Sequence, residues 1–135
     1  MCIAAAGIIS EDTVEMSNLN WKITVPSLQK ASNIKSVLII NDLQAQGYAL
    51  DFIKPKDLEK LIEGNYSAAQ IDTKLVCGMG TGFNVAIAYQ TAFGTFVPAS
   101  EYGHARTTTA NEKQKLIVIQ LEESSSFVSY ENILA

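Results

Sequence analysis

The stretch from Val37 to Leu50 reads VLIINDLQAQGYAL and changes its periodicity abruptly. Four consecutive apolar residues predict a short strand, and the polar pair Asn41 and Asp42 follows it directly. A helical pattern then runs to Leu50. An amide or carboxylate at this junction can cap the new helix, and it can equally act on a substrate as a hydrogen-bonding group or base. Both interpretations stay open at this point.

The same alternation of strand and helix patterns predicts an α/β fold. Strands are expected at Cys2 to Gly7, Thr13 to Met16, Trp21 to Thr24, Ser36 to Ile40, Lys74 to Gly78, Phe83 to Thr91 and Phe96 to Val97. Continuous apolar character predicts that the strand at 36–40 is covered on both faces. Helices are expected at Pro26 to Leu28, at Asp42 to Leu50 and from Lys54 to a stop at Gly64, whereas Ala110 to Leu121 fits either helix or strand.

Composition narrows the classes of protein and partner. The chain has 135 residues, 47% of them hydrophobic and 18% charged, which suits one domain or two small lobes with an apolar core. Its net charge is -4 and it has no basic run, so we expect neither nucleic acid nor a membrane as partner. The first residues lack the basic region of a signal peptide. Cys2 and Cys77 have no metal-ligand spacing, and we expect buried free thiols in a reducing cytoplasm.

A glycine-rich segment, CGMGTGFN, spans Cys77 to Asn84. Gly78, Gly80 and Gly82 let backbone amides approach an oxyanion closely, and Thr81 adds a hydroxyl donor. A strand follows the segment, so it is neither a Walker loop nor a dinucleotide fingerprint. A plain hairpin turn is the alternative interpretation.

Two acidic positions and the only histidine lie near the C-terminal end. SEYGHA places Glu101 three residues before His104, in what Pro98 and Gly103 predict to be a loop. One imidazole and one carboxylate are too few ligands for a metal site, so we expect no metal there. The two side chains can together bind sugar hydroxyls, and an exposed polar loop without a binding role is the alternative. Glu131, in SYENILA, suits the first turn of a helix capped by Ser129.

In order, five segments resemble the core motifs of the bacterial ATP-dependent glucokinase family. They are CIAAAGIISEDTVEMSNLNW at 2–21, VLIINDLQAQGYAL at 37–50, VCGMGTGFNVA at 76–86, PASEYGHA at 98–105 and VSYENILA at 128–135. Each motif alone is unspecific. The specificity of the resemblance comes from their collinear order over almost the whole chain.

The resemblance implies a portion of the actin-like (ribonuclease H-like) two-lobed sugar kinase fold. Residues 1–52 would belong to the smaller lobe and residues 53–135 to the larger one. Asp42 matches the catalytic base that takes the proton from the 6-hydroxyl of glucose before attack on Mg-ATP. The implied sugar-binding residues are Asn41, Glu101, His104 and Glu131, and the implied phosphate-binding residues are Gly80, Thr81 and Gly82.

The chain also departs from the family's pattern. Asn84 stands where the family usually has a glycine, and Tyr102 replaces the first glycine of a Glu-Gly-Gly-His loop. The Asp-x-Gly-Gly-Thr phosphate loop and the segment that covers the adenine are absent from the 135 residues. Both ends stop within a pattern, so we expect an internal piece of a longer protein that is inactive alone.

Three further expectations remain open. The 135 residues are alternatively a non-catalytic sugar-binding or oligomerising remnant, and the substrate is alternatively a related hexose. Incomplete lobes leave apolar faces and strand edges uncovered, which predicts a homodimer or other self-association.

Overall fold

The computed structural model describes residues 1–16, 19–65, 72–80 and 82–135. The chain divides into two units. The first comprises Met1–Val76 with Ala86–Ala99, and the second comprises Cys77–Val85 with Ser100–Ala135. The chain contains both helices and strands, which confirms the predicted α/β class. The division into lobes near residue 52 stays a prediction.

The first unit begins with two small sheets. Strand β1 (Cys2–Ala5) pairs in parallel with β5 (Leu38–Asn41), in a register that places Ala5 opposite Asn41. Strands β2 (Gly7–Ser10), β3 (Thr13–Met16) and β4 (Lys22–Thr24) form an antiparallel sheet in that order. The segment predicted as one strand from Cys2 to Gly7 is therefore divided between two sheets.

The core between these strands is small and apolar. Ala5, Val14 and Ile39 are buried together, and Ile9, Ile23, Val25 and Leu28 pack against them. Helix α1 (Val25–Ser32) supplies the last two of these side chains, and it begins at Thr24, whose hydroxyl accepts from Ser27 N at 3.2 Å. Pro26 occupies the first turn of the helix that the sequence predicts from Pro26 to Leu28.

The prediction that residues 36–40 are covered on both faces is wrong. Leu38 is 58% exposed whereas Ile39 is 6% exposed. Successive side chains of a strand point to opposite faces, and only the face of β5 that carries Ile39 packs on the Val14 cluster. Asn41 is therefore the C-terminal residue of a strand in a sheet with only one covered face.

Helix α2 (Asp42–Ala49) follows β5 without a linking residue and continues into a 3₁₀ turn at Leu50–Phe52. Its Leu43 is buried with Ala86, Ala88 and Val97 in a second core cluster. Since β5 packs in one cluster and α2 in the other, the junction between them is fixed from both sides.

Strands β6 (Thr73–Met79), β7 (Phe83–Thr91) and β8 (Gly94–Phe96) form a three-stranded sheet in that order. Side chains alternate between exposed and half-buried along β6, and Cys77 lies on the exposed face. Cys2 is also exposed, so the expectation of two buried thiols is wrong, because both residues belong to the open face of a strand.

The prediction of an amphipathic helix between Lys54 and Gly64 is also wrong. The segment forms one 3₁₀ turn at Pro55–Asp57, and Leu58, Leu61 and Ile62 are 62%, 84% and 86% exposed. Short helices depend on packing of their apolar face, and no described residue covers this one.

In the second unit, Ala110 to Leu121, left open between helix and strand, is helical. Helix α3 (Glu112–Glu122) begins after Asn111, whose side chain accepts from Gln114 N at 3.0 Å. Helix α4 (Glu131–Leu134) forms the last turn. Among the described residues, no helix is both long and apolar enough to cross a bilayer.

Candidate functional site

The Asn41–Asp42 pair lies at the carboxyl end of the parallel strand β5, where α2 begins. Both side chains accept from the same backbone donor, since Asn41 Oδ1 and Asp42 Oδ1 each lie 2.9 Å from Leu43 N. Asn41 is 4% exposed and is the N-cap, and Asp42 is half-buried in the first turn. The capping interpretation is therefore confirmed for Asn41, and the catalytic role of Asp42 stays a prediction.

The glycine-rich turn connects β6 to β7 and belongs to the second unit. Gly80 N donates to Gly82 O at 2.9 Å, which closes the turn. Thr81, one of the three predicted phosphate-binding residues, lies outside the described residues. A Cβ atom on Gly80 would meet nothing within 4 Å, so the turn presents an open backbone on that side.

The Glu101–His104 segment is a loop, as the sequence predicts. It forms a 3₁₀ turn at Tyr102–His104, closed by His104 N donating to Glu101 O at 3.1 Å. Glu101 and His104 are exposed whereas Gly103 between them is buried. A Cβ atom at Gly103 would overlap the carbonyl oxygen of Phe83, which explains a glycine at this position.

Glu131 is brought to this loop by a short antiparallel pairing. Thr107 N donates to Val128 O at 3.0 Å, and Tyr130 N donates to Ala105 O at 3.1 Å. The chain that leaves the loop therefore runs beside the chain that enters α4. The sequence gives no sign of this pairing, because its two segments are too short for a strand pattern.

The carboxylate of Glu131 lies against both glycine segments of the second unit. Its Oε2 would be 3.4 Å from a Cβ atom on Gly82 and 3.4 Å from one on Gly103. The structure thus brings the glycine-rich turn, the loop and Glu131 together within one unit. Asn41 and Asp42 belong to the other unit, and the binding roles of all of these residues stay predictions.

Tyr102 adds a second link to the same cluster. Its ring stacks on Tyr130, with centroids 5.6 Å apart and planes inclined by 18°. The Tyr130 hydroxyl lies 2.9 Å from Thr108 Oγ1. The residue that departs from the family's glycine therefore joins the loop to the neighbour of Glu131, a contact that no local sequence signal predicts.

Asp51, in the first unit, is a charged centre that the sequence analysis missed. It accepts hydrogen bonds from Lys74, Thr95 and Gln90, the last at 2.8 Å. The hydrogen bond from Lys74, reinforced by those from Thr95 and Gln90, holds the pKa of Asp51 well below its ordinary range. Its partners are 23 to 44 residues away, so no spacing rule could have found the network.

The described residues contain no group of three or more histidine, cysteine, aspartate or glutamate side chains placed to hold a metal ion. Glu101 and His104 therefore have no third ligand of these types in the part of the chain that the structure covers. What the second unit offers instead is a set of polar side chains beside an open glycine turn.

A protein-family model described as Glucokinase matches residues 1–135. The chain is 29% identical to the glucokinase of Colwellia psychrerythraea, over 99% of this chain and 40% of the relative. It is 35% identical to the glucokinase of Caulobacter vibrioides, over 76% of this chain and 30% of the relative. The chain thus spans about 40% or less of the length of these curated relatives.

Two solved structures share the fold. A glucokinase from an Antarctic psychrotroph superposes with a TM-score of 0.74 and 28% identity, over 98% of this chain and 41% of that chain. A glucokinase from Balamuthia mandrillaris in complex with glucose superposes with a TM-score of 0.67 and 22% identity, over 98% of this chain and 42% of that chain. The prediction that the chain is part of a sugar kinase fold is confirmed.

Proposed function

The chain belongs to the glucokinase family, and we propose that the protein containing it transfers the γ-phosphate of ATP to the 6-hydroxyl of glucose. The observation that carries the proposal is the cluster in the second unit, where the Glu131 carboxylate lies against Gly82 of the phosphate turn and Gly103 of the loop. Glycine is required at position 103, where a Cβ atom would overlap the Phe83 carbonyl oxygen, whereas a Cβ atom at position 82 would make an ordinary contact with Glu131.

Hexose binding is assigned to Asn41, Glu101, His104 and Glu131. Each sugar hydroxyl both donates and accepts, so carboxylate, amide and imidazole side chains are each suited to bind one. Recognition by such groups discriminates strongly, because an analogue that lacks a hydroxyl leaves the group that would bind it unpaired.

Phosphate binding is assigned to the turn at Gly80, Thr81 and Gly82. The absence of any neighbour within 4 Å of a Cβ at Gly80 leaves room for an oxyanion at the backbone. Mg²⁺, which neutralises charge between the phosphates, is held in such reactions largely by the phosphates and water.

In the proposed step, Asp42 accepts the proton of the 6-hydroxyl. The freed oxygen forms a bond to the γ-phosphorus while the bond to the bridging oxygen breaks, and ADP leaves with the bonding electrons. Asp42 suits this role because Leu43 N, held at 2.9 Å from its Oδ1, orients the carboxylate at the start of a rigid helix. Positioning of the two reactants supplies most of the acceleration.

A coupled assay with ATP and glucose tests the proposal on the whole protein that contains this chain. Asp42→Asn should lower kcat by about 10²- to 10⁴-fold, since it removes the base and keeps the shape. The dissociation constant for glucose should change little. Asp57→Asn, at an exposed aspartate outside the site, is the matched control and should retain full activity.

Three other results would overturn the proposal in different ways. Full activity of Asp42→Asn would reduce Asp42 to a helix-capping residue. Sugar binding without turnover by the wild-type protein would favour a non-catalytic sugar-binding module. Preference for another hexose would retain the kinase and change its substrate. The isolated 135-residue chain should show little or no turnover, because it spans about 40% of its relatives' length.

Self-association is proposed from the apolar surface of the second unit. Leu116, Ile117 and Ile119 on α3 are 64%, 43% and 48% exposed. Ile117 also lines a groove of about 170 Å³ with Ile133 and Leu134. An exposed apolar surface of this kind favours pairing with a second copy. The two free thiols fit a reducing compartment, so we place the protein in the cytoplasm.

A further inference from the structure

The side chain of Asn84 contacts the Ser100–His104 loop at three points. Its Nδ2 donates to Ser100 O at 2.8 Å and to Glu101 Oε2 at 3.2 Å. Its Oδ1 accepts from Gly103 N at 3.4 Å and from Val85 N at 2.8 Å. The orientation of the amide follows from this pattern, because its donor end faces two oxygens and its acceptor end faces two N–H groups.

These contacts reach three residues of the loop that carries Glu101. Ser100 begins the loop, Glu101 carries the carboxylate, and Gly103 is its buried centre. Asn84 itself is half-buried at the start of β7, on a strand that follows the phosphate turn directly. One side chain therefore connects the strand beside the phosphate turn to three successive parts of the loop.

The contact with Glu101 has a specific physical consequence. An exposed glutamate samples many rotamers, and ordering it when a ligand binds costs conformational entropy. The hydrogen bond from Asn84 Nδ2 to Glu101 Oε2 restricts those rotamers beforehand, so less of that entropy is lost when a sugar binds. A glycine or alanine at position 84 would have no side-chain amide to donate this hydrogen bond to Glu101.

The geometry points to Asn84 as the positioning residue of the hexose loop, which orients Glu101 and thereby sets the affinity for the sugar. The inference rests on the proposed function. It assigns a role to a residue that the sequence marked only as a departure from the family's glycine.

Two substitutions separate the functions of the two ends of the amide. Asn84→Ala removes both ends. Asn84→Asp keeps the shape and the acceptor at Oδ1, but it replaces the donor with an oxygen that faces the Glu101 carboxylate and repels it. Asn65→Asp, at an exposed loop residue of the first unit, is the matched control for the added charge.

The expected effects on the whole protein are selective for the sugar. KM for glucose should rise on the order of tenfold in Asn84→Ala, because a hydrogen bond to a charged group is lost. It should rise further in Asn84→Asp, because repulsion between two carboxylates replaces that hydrogen bond. KM for ATP and the melting temperature should change little. In Asn84→Asp, lowering the pH toward 5 should recover glucose affinity, since protonation of one carboxyl relieves the repulsion. A merely structural role would not produce that pH dependence.

Amide hydrogen exchange tests the same role without catalysis. Exchange at Gly103 should be roughly three- to tenfold faster in Asn84→Ala than in the wild type. Unchanged Gly103 exchange and unchanged KM for glucose, in a protein that phosphorylates glucose, would overturn the role of Asn84 alone. A wild-type protein that neither binds nor phosphorylates glucose would overturn the proposed function and the hexose role of Asn84 with it.

Discussion

The backbone of Gly47, in the middle of α2, lies directly against the side chain of Val97. A Cβ atom on Gly47 would be 2.8 Å from Val97 Cγ1 and 3.2 Å from Val97 Cγ2. Val97 is fully buried, and Gln44 Nε2 donates to its carbonyl oxygen at 2.6 Å. The helix that begins at Asn41 and Asp42 therefore packs closely against Val97, and the contact is made at Gly47, which has no side chain.

Gly47→Ala should destabilise the chain, although alanine is the better helix former. Alanine gains about 0.5–1 kcal/mol from propensity, whereas overpacking a buried contact costs about 1–3 kcal/mol. We expect a net loss of up to about 2.5 kcal/mol in urea unfolding. Adding Val97→Ala should make the combined loss smaller than the sum of the two single losses, because space is created. Additive losses would show that Val97 is not the obstacle.

Asp51 should make the free energy of unfolding depend on pH in the acidic range. Its pKa is lowered in the folded state by Lys74, Thr95 and Gln90, so its ionised form stabilises the fold. That contribution is complete above the unfolded-state pKa of about 4 and is lost as the pH falls from there toward the lower folded-state pKa. In urea unfolding, the stability difference between wild type and Asp51→Asn should shrink below pH 4. A constant difference down to pH 2 would contradict this.

Gly103→Ala should disrupt the second unit. The new methyl group would overlap the Phe83 carbonyl oxygen, and a backbone atom in a strand cannot withdraw as a flexible side chain can. We expect a loss near the upper end of the overpacking range, about 3 kcal/mol, in urea unfolding. Gly64→Ala is the control, since its Cβ would meet nothing within 4 Å, and it should stay within about 0.5 kcal/mol of wild type.

Glu131→Gln should weaken glucose binding in the whole protein. The substitution keeps the shape beside Gly82 and Gly103 but removes the charge that strengthens a hydrogen bond from a sugar hydroxyl. A hydrogen bond to a charged group contributes about 1.5–3 kcal/mol, which corresponds to a Kd increase of about 10- to 100-fold by calorimetry. Glu59→Gln, at an exposed position, should leave Kd unchanged. Equal affinity of wild type and Glu131→Gln would remove Glu131 from the site.

The isolated chain should associate in a concentration-dependent manner. Light scattering is expected to give a mass above that of the 14.7 kDa monomer. Leu116→Lys combined with Ile119→Lys should restore the monomer, because it places two charges on the exposed apolar face of α3. Leu61→Lys changes an apolar side chain that is 84% exposed elsewhere and should have a smaller effect. A monomer at all concentrations would contradict the proposed self-association.

Local patterns predicted most elements where a residue's immediate neighbours decide the conformation. Thr24 and Asn41 cap helices through donors two or three residues away, and the loop at Glu101 follows from Pro98 and Gly103. The same reasoning failed at Leu58, Leu61 and Ile62, whose helical spacing has no packing partner among the described residues. It also failed at Leu38 and Cys77, because a strand's pattern does not reveal which of its faces is covered.

By itself, the sequence determined the α/β class, the strand that leads into Asn41 and Asp42, and membership of a family through five collinear motifs. These features depend on periodicity, capping and residue order, which neighbouring residues specify. Only the tertiary structure decided that Asn84 reaches Ser100 and Glu101, that Tyr102 stacks on Tyr130 and that Gly47 faces Val97. These contacts join residues 16 to 50 positions apart in the sequence. Local sequence patterns do not specify contacts between such distant residues, because the fold of the whole chain brings them together.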